Sequence, residues 1–303
     1  MQLHFGTELL RAEWPAAVAC VGTFDGVHLG HEALIRTAVQ RARERDLPAI
    51  LVTFDRHPAA ILAPEKCPKS IASVEENLAQ FERLGISISV VLPFTVALSQ
   101  MSAERFLKDV LVTAVRADSL VVGHDFAMGH DRQGTTAWLQ ARIPTEVIPP
   151  FEVEDVRVSS RAIRQAVSEG RLEQANRFLG RPFTLSGVVV GGQKLGRQLG
   201  YPTANIARSF DQVLPLDGVY VANVKTHIGE FRAAVSIGMR PAVGGTARTI
   251  EAYLIDYPGD SLYGRHIMMG LISRLREERN FDNLEALIRQ IDHDVLLARS
   301  FPT

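Results

Sequence analysis

The chain has 303 residues, 46% hydrophobic and 22% charged, with a formal net charge of −1. That length can hold two domains with cores of their own, and the near-neutral balance excludes a global basic field that would gather nucleic acid. Cys20 and Cys67 are too few for a disulfide scaffold or a zinc site, no apolar run suits a membrane span, and Met1 to Trp14 lacks a signal-peptide layout, so a cytoplasmic protein with reduced thiols is expected.

In chain order, Ala16 to Val21 reads as a buried strand and Glu32 to Arg45 as a helix, with Leu34, Ile35, Ala38, Val39 and Ala42 at three- and four-residue spacing. Between them runs Gly22-Thr23-Phe24-Asp25-Gly26-Val27-His28-Leu29-Gly30-His31. Glycines at a strand-to-helix turn let the backbone approach a phosphate, and the unpaired N–H groups of the helix start favour anionic oxygens. His28 and His31 share one face of the first turn. The pattern points to ATP.

Further strands are expected at Ala49–Thr53, Ile86–Leu92, Ser119–Val122 and Thr145–Ile148. One helix starts near Ser73, which forms a capping-box pattern with Glu76, and another follows Ser102 with Phe106, Val110, Leu111 and Val115 inward. This alternation implies a parallel sheet covered by helices, with ligands at the carboxyl ends of the strands. His28 and His31 fall at such an end, as does Gly123-His124-Asp125-Phe126. Two helices follow, from Ser159-Ser160 through Val167 and from Leu172 to Leu179, the second stopped by Gly180 and Pro182. Then come strand-like runs at Thr184–Val190, Val219–Val224, Phe231–Ile237, Thr249–Ile255 and His266–Leu271, and a final helix at Leu284–Ala298. Successive strands closed by one helix suggest a small antiparallel β-barrel. The expected division is 1–183 for an α/β parallel-sheet domain and 184–303 for the barrel.

Together these residues resemble the bacterial bifunctional riboflavin kinase/FMN adenylyltransferases, or FAD synthetases, over nearly the whole chain. The first half carries Gly22–His31, Thr53-Phe54-Asp55-Arg56-His57-Pro58, Gly123–Gly129 with Arg132 and Gly134, and Ser159-Ser160 with Ile163-Arg164. The second carries Gly196-Arg197-Gln198-Leu199-Gly200-Tyr201-Pro202-Thr203-Ala204-Asn205, Gly218-Val219-Tyr220, Ser236-Ile237-Gly238, Glu251, Leu262-Tyr263-Gly264 and Leu275-Arg276. The chain departs from the family pattern at Asp55-Arg56, Met128, Arg161, Gly191 and Ala242-Val243.

The resemblance implies a nucleotidyltransferase domain in which the phosphate of FMN attacks the α-phosphorus of ATP, giving FAD and pyrophosphate. His28, His31 and Arg164 are then the charge-stabilising candidates. Gly22, Phe24, Asp25, Gly26, Gly30, Asp125, Arg132, Ser159 and Ser160 are nucleotide- or phosphate-binding candidates; a turn former is the alternative for Asp125, and His57 is as readily a histidine satisfied by its own turn as a direct contact. The barrel would move the γ-phosphate of ATP to the terminal ribityl hydroxyl of riboflavin. Glu251 is the candidate base, Thr203 and Asn205 are hard oxygen donors for Mg2+, and Gly196 and Arg197 would contact phosphate, with Lys194 nearby. The implied partners are small molecules (ATP, riboflavin, FMN), with neither nucleic acid nor membrane, and homo-oligomer formation is left open. A nucleotidyltransferase acting on another substrate leaves Thr203, Asn205 and Glu251 unexplained. A non-catalytic flavin-binding protein leaves the histidines unexplained too.

Overall fold

A computed structural model describes residues 1–7, 14–192, 196, 199–242 and 245–302; Lys194, Arg197 and Val243 lie outside them. The chain forms two compact units, Met1–Ser160 and Arg161–Thr303.

In the first unit the elements are β1 (Gln2–Phe5), β2 (Ala17–Val21), α1 (Leu29–Glu44), β3 (Ala49–Phe54), α2 (Ala59–Leu62), α3 (Val74–Arg83), β4 (Ile88–Leu92), α4 (Val96–Ser99) and α5 (Ala103–Arg105). The last runs into a π-helical segment, Phe106–Ala114, followed by β5 (Ala117–Gly123), the small hairpin β6 (Ala127–Met128) and β7 (Gly134–Thr135), α6 (Thr136–Gln140), β8 (Thr145–Ile148) and the hairpin β9 (Glu152–Val153) and β10 (Val156–Arg157). Six strands form one parallel sheet in the order β1-β4-β3-β2-β5-β8. Central strand β2 is apolar throughout, and β3 nearly so, because both faces are covered. Ala17, Ala19 and Val21 enter one core with Ile50, Val52 and Leu111, while Val18 and Cys20 enter the other with Ile35, Leu51 and Phe81. From β2 the chain runs outward through β3 to β4, then returns to lay β5 on the other side of β2. The crevice beyond the carboxyl ends of β2 and β5 is thus a topological switch point, the place where open α/β sheets bind ligands. The expected capping box at Ser73 and Glu76 is present, with both reciprocal bonds formed.

Helix α7 (Ser160–Ser168) starts on the last residue of the first unit and continues into the second, which further comprises α8 (Leu172–Leu179), β11 (Phe183–Val190), β12 (Ala204–Ala207), β13 (Gly218–Lys225), β14 (Glu230–Ala242), β15 (Gly245–Leu254), β16 (His266–Glu277) and α9 (Leu284–Ser300). Its six strands close into an antiparallel barrel, β11-β12-β15-β14-β13-β16. Strand alternation sorts the residues into two sets. Tyr220, Ala222, Val235, Ile237, Ile250 and Ala252 are buried in the barrel. Val219, Val221 and Ala234 instead pack with Val295 and Ala298 of α9 on its outer face.

Among the strands of the parallel sheet and the barrel, the sequence expectation missed two, β1 and β12, and it also missed the two small hairpins β6–β7 and β9–β10. Strand β1 sits at the sheet edge, where pairing with β4 rather than an apolar run defines it. Strand β12, Ala204–Ala207, starts inside the polar stretch Pro202–Asn205 and is only four residues long. The two compact units divide between Ser160 and Arg161. The Gly180–Pro182 stop marks the end of a helix, but α8 packs with the barrel: Asn176 Nδ2 donates to the carbonyls of Leu271 and Ile272 at 2.9 and 3.1 Å, and its Oδ1 accepts from Phe183 N at 2.7 Å.

Candidate active sites

In the first unit, α1 starts at Leu29, three residues earlier than its apolar periodicity suggests, with His28 as N-cap. His28 Nδ1 accepts from His31 N at 3.2 Å, so one backbone donor of the helix start is satisfied by an imidazole in place of the usual hydroxyl or carboxylate. A nitrogen that accepts carries no proton, so the neutral His28 ring holds its proton on Nε2. The two imidazoles stack, with centroids 3.6 Å apart and planes 15° from parallel. His28 is buried at 6% exposure, whereas half-buried His31 lines a cavity of about 740 Å³ at the switch point. Phe24 is fully buried and meets the His31 ring edge-on at 5.2 Å.

The turn ahead of His28 is held from several sides. Phe24, Gly26 and Val27 all have left-handed φ, at 47°, 79° and 39°, a conformation that is strained for the valine. The Asp25 carboxylate accepts from the backbone N–H of Ile71 and Ala72, Gly26 N donates to Asn77 Oδ1 at 3.0 Å, and Ser160 Oγ donates to the Asp25 carbonyl at 3.0 Å. Asp25 thus anchors the loop, and it is not among the residues lining the cavity. A Cβ on Gly26 would stand 2.6 Å from Ile71 Cγ2. Gly26→Ala is therefore expected to cost about 1–3 kcal/mol. FMN adenylylation should decay at a lower temperature than in the parent while riboflavin phosphorylation decays as before, as a heating series assayed for both activities will show.

Gly22, Phe24, Asp125 and Arg132 line this cavity, together with an aromatic set the sequence reading did not single out as a site: Phe54, Phe94, Phe106 and Phe126. Phe54 and Phe94 meet edge-on at 5.3 Å. Their signal was position, since Phe54 ends β3, Phe94 follows β4 and Phe126 follows β5. Arg132 Nη2 donates to the Asp125 carbonyl at 3.0 Å, and the Asp125 carboxylate pairs with Arg157 at 2.7 Å. Gly30 lies under the His28 ring, where a Cβ would come within 3.2 Å of it. Away from the cavity wall, His57 Nδ1 accepts from Ala59 N at 3.1 Å, the bond expected of a histidine in its own turn. Ser159 directly precedes α7, and Arg164 lies on that helix in the second unit.

A second cavity, of about 230 Å³, lies between the outer face of the barrel and α9. Glu251 on β15 faces away from the buried Ile250 and Ala252, with Asn205 of β12 and Ser236 of β14 as its cross-strand neighbours. Thr203 Oγ1 donates to Glu251 Oε2 at 3.1 Å. All four side chains line the cavity, with Gly196 at its edge. A Cβ on Gly192 would fall 2.3 Å from the Asn205 amide nitrogen, and one on Gly196 would fall 3.4 Å from Thr203 Oγ1, so bare backbone presses on this oxygen-rich corner. Tyr201 hydrogen-bonds Asp292 through its hydroxyl and meets the Tyr253 ring edge-on at 5.3 Å. The aspartate bond pushes the phenol up to about 12, so it stays a donor at any ordinary pH. Arg276, Phe281, Leu287, Ile291, Asp294 and Val295 complete the wall. Asp294 escaped the sequence reading because an acid one residue from Val295 on an amphipathic helix looks like part of a solvated flank.

Two family models match the chain, one for FAD synthetase over residues 10–162 and one for riboflavin kinase over residues 179–301. The bifunctional riboflavin kinase/FMN adenylyltransferase of Escherichia coli (strain K12) is 36% identical over 300 residues, 97% of this chain and 95% of that protein. The chain belongs to this bifunctional family. The Pseudomonas fluorescens enzyme of the same name is 37% identical over 306 residues, 99% of this chain and 97% of its own length. A crystal structure from Streptococcus pneumoniae, described as a macrolide-efflux protein, has a TM-score of 0.92 at 29% identity and covers 100% of both chains. As a riboflavin kinase/FMN adenylyltransferase, the chain carries its adenylyltransferase half first and its kinase half second, in the order expected from the sequence. Among the described residues no helix is long and apolar enough to cross a membrane.

Proposed function

We propose that FMN adenylylation runs in the cavity beside His31 and riboflavin phosphorylation in the cavity beside Glu251. The observation that carries this is that Gly22, Phe24, His31, Asp125 and Arg132 line one cavity and Gly196, Thr203, Asn205 and Glu251 another, with no lining residue in common, while His28 lies buried behind His31. In the first, the early N–H groups of α1 and the imidazole pair donate to phosphate oxygens while an FMN phosphate oxygen bonds to the α-phosphorus of ATP and pyrophosphate leaves. Positioning and charge stabilisation do most of the work in such a displacement. The aromatic wall of Phe54, Phe94 and Phe126 suits the planar rings of flavin or adenine. Asp25 acts through the loop it anchors, and the assignment of Arg164 rests on the sequence resemblance.

In the second cavity, Glu251 takes the proton of the ribityl hydroxyl as that oxygen bonds to the γ-phosphorus and ADP leaves. The Thr203 hydroxyl holds the carboxylate in place. Thr203, Asn205 and Glu251 offer hydroxyl, amide and carboxylate oxygens in one corner, a donor set that fits Mg2+. Mg2+ bound there would offset charge on the nucleotide phosphates. Without side chains, Gly192 and Gly196 let the backbone come close to a phosphate held at this corner. A chain that works on ATP and free flavins, with two thiols and no described membrane-spanning helix, is in keeping with a cytoplasmic enzyme.

Incubation with riboflavin, ATP and Mg2+, with the flavins separated over time, should give FMN and then FAD. EDTA in excess is expected to stop FMN formation and added Mg2+ to restore it. FMN formation that continues in EDTA would remove the metal role from Thr203 and Asn205.

A further inference from the structure

Among the described residues Asp294 is the one buried carboxylate, at 4% exposure, and neither the sequence motifs nor the base chemistry uses it. It receives Arg276 Nε at 2.9 and 3.0 Å, Arg276 Nη2 at 2.7 Å and Gln290 Nε2 at 2.8 Å. The two charged side chains are 14% and 5% exposed. Such a pair is a poor way to hold a helix on a barrel, because desolvation offsets most of the attraction and apolar groups of the same size would serve the fold as well. What it does provide is a guanidinium fixed in one orientation.

That orientation can be followed atom by atom. Of the five N–H groups of Arg276, those on Nε and Nη2 meet Asp294, and one on Nη1 meets the Glu277 carbonyl at 2.8 Å. Among the described residues, one N–H on Nη1 and one on Nη2 remain without a partner. Phe281 lies 5.8 Å from the guanidinium carbon, and Arg276 lines the same cavity as Glu251, Thr203 and Asn205. We propose that Asp294 is a positioning residue of the kinase: it aims Arg276 so that the remaining N–H groups meet acceptor atoms of riboflavin. The inference rests on the assignment of this cavity to phosphorylation.

Steady-state kinetics of the full chain test it. Arg276→Lys keeps a cation against Asp294 but loses the paired donors. It is expected to raise KM for riboflavin about tenfold or more, with kcat within about twofold of the parent and FMN adenylylation unchanged. The double variant Arg276→Met/Asp294→Leu replaces the pair with apolar groups of similar volume. It is expected to melt with the parent and to show the same rise in KM. A parental KM in either variant makes the pair a structural tie only and overturns the proposal, as does a loss confined to kcat. If the double variant does not fold, Arg276→Lys decides alone. Glu251→Gln assayed alongside separates the two failures: retained phosphorylation there removes the kinase assignment itself, whereas lost phosphorylation with a parental KM in Arg276→Lys removes only the role of Asp294.

Discussion

Glu251→Gln is expected to abolish riboflavin phosphorylation while FMN adenylylation continues in the same sample. The substitution keeps the size of the side chain and an oxygen to accept from Thr203 Oγ1, so the 3.1 Å contact and the strand pairing with Asn205 and Ser236 survive. What it removes is the capacity to take a proton. General-base assistance contributes about 10²- to 10⁴-fold, and an amide supplies none of it. Loss of the negative charge beside Thr203 and Asn205 would also weaken any Mg2+ held there, so the fall should sit at the upper end of that range. Chromatographic separation of riboflavin, FMN and FAD after parallel incubations with riboflavin and with FMN gives the result. Loss of both activities in a folded protein would contradict two separate sites, and a near-parental kinase rate would exclude Glu251 as the base.

The order of elements was legible in the sequence because the pattern is local. Alternating apolar runs and three- or four-residue spacing marked β2, β3, β4, β5, β8 and α1, and Ser73 with Glu76 marked the start of α3. Partnerships across the chain left no such mark. Strand β12 exists because Ala204 and Asn205 pair with Ala252 and Glu251, a fact of register that Pro202–Asn205 does not announce. The same holds for function. His28, His31, Thr203, Asn205 and Glu251 could be named from motifs, yet the bond between Thr203 and Glu251 spans 48 residues. The place of Asp294 against Arg276 depends on how α9 lies on the barrel. Nor did the motif announce that the Asp25 carboxylate accepts from the backbone of Ile71 and Ala72, 46 and 47 residues away.

His28 combines both kinds of role, and two substitutions should pull them apart. As N-cap it satisfies the His31 N–H, and losing a cap costs about 0.5–2 kcal/mol of stability. It also stacks 3.6 Å from His31, which lines the cavity, and in the proposed reaction the His28 Nε2 proton makes it a donor for adenylylation. His28→Ala removes both, and is expected to lower the melting temperature and to reduce FMN adenylylation by about 10² or more. Asparagine is among the best capping residues, so His28→Asn should regain the lost stability, because its Oδ1 can accept from His31 N. It lacks the ring and its Nε2 donor, so adenylylation should stay as low as in His28→Ala. Riboflavin phosphorylation, measured in the same samples, should be parental in both. If the asparagine variant instead recovers adenylylation along with stability, His28 serves only to start the helix, and the donor role passes to His31 and the backbone of the first turn.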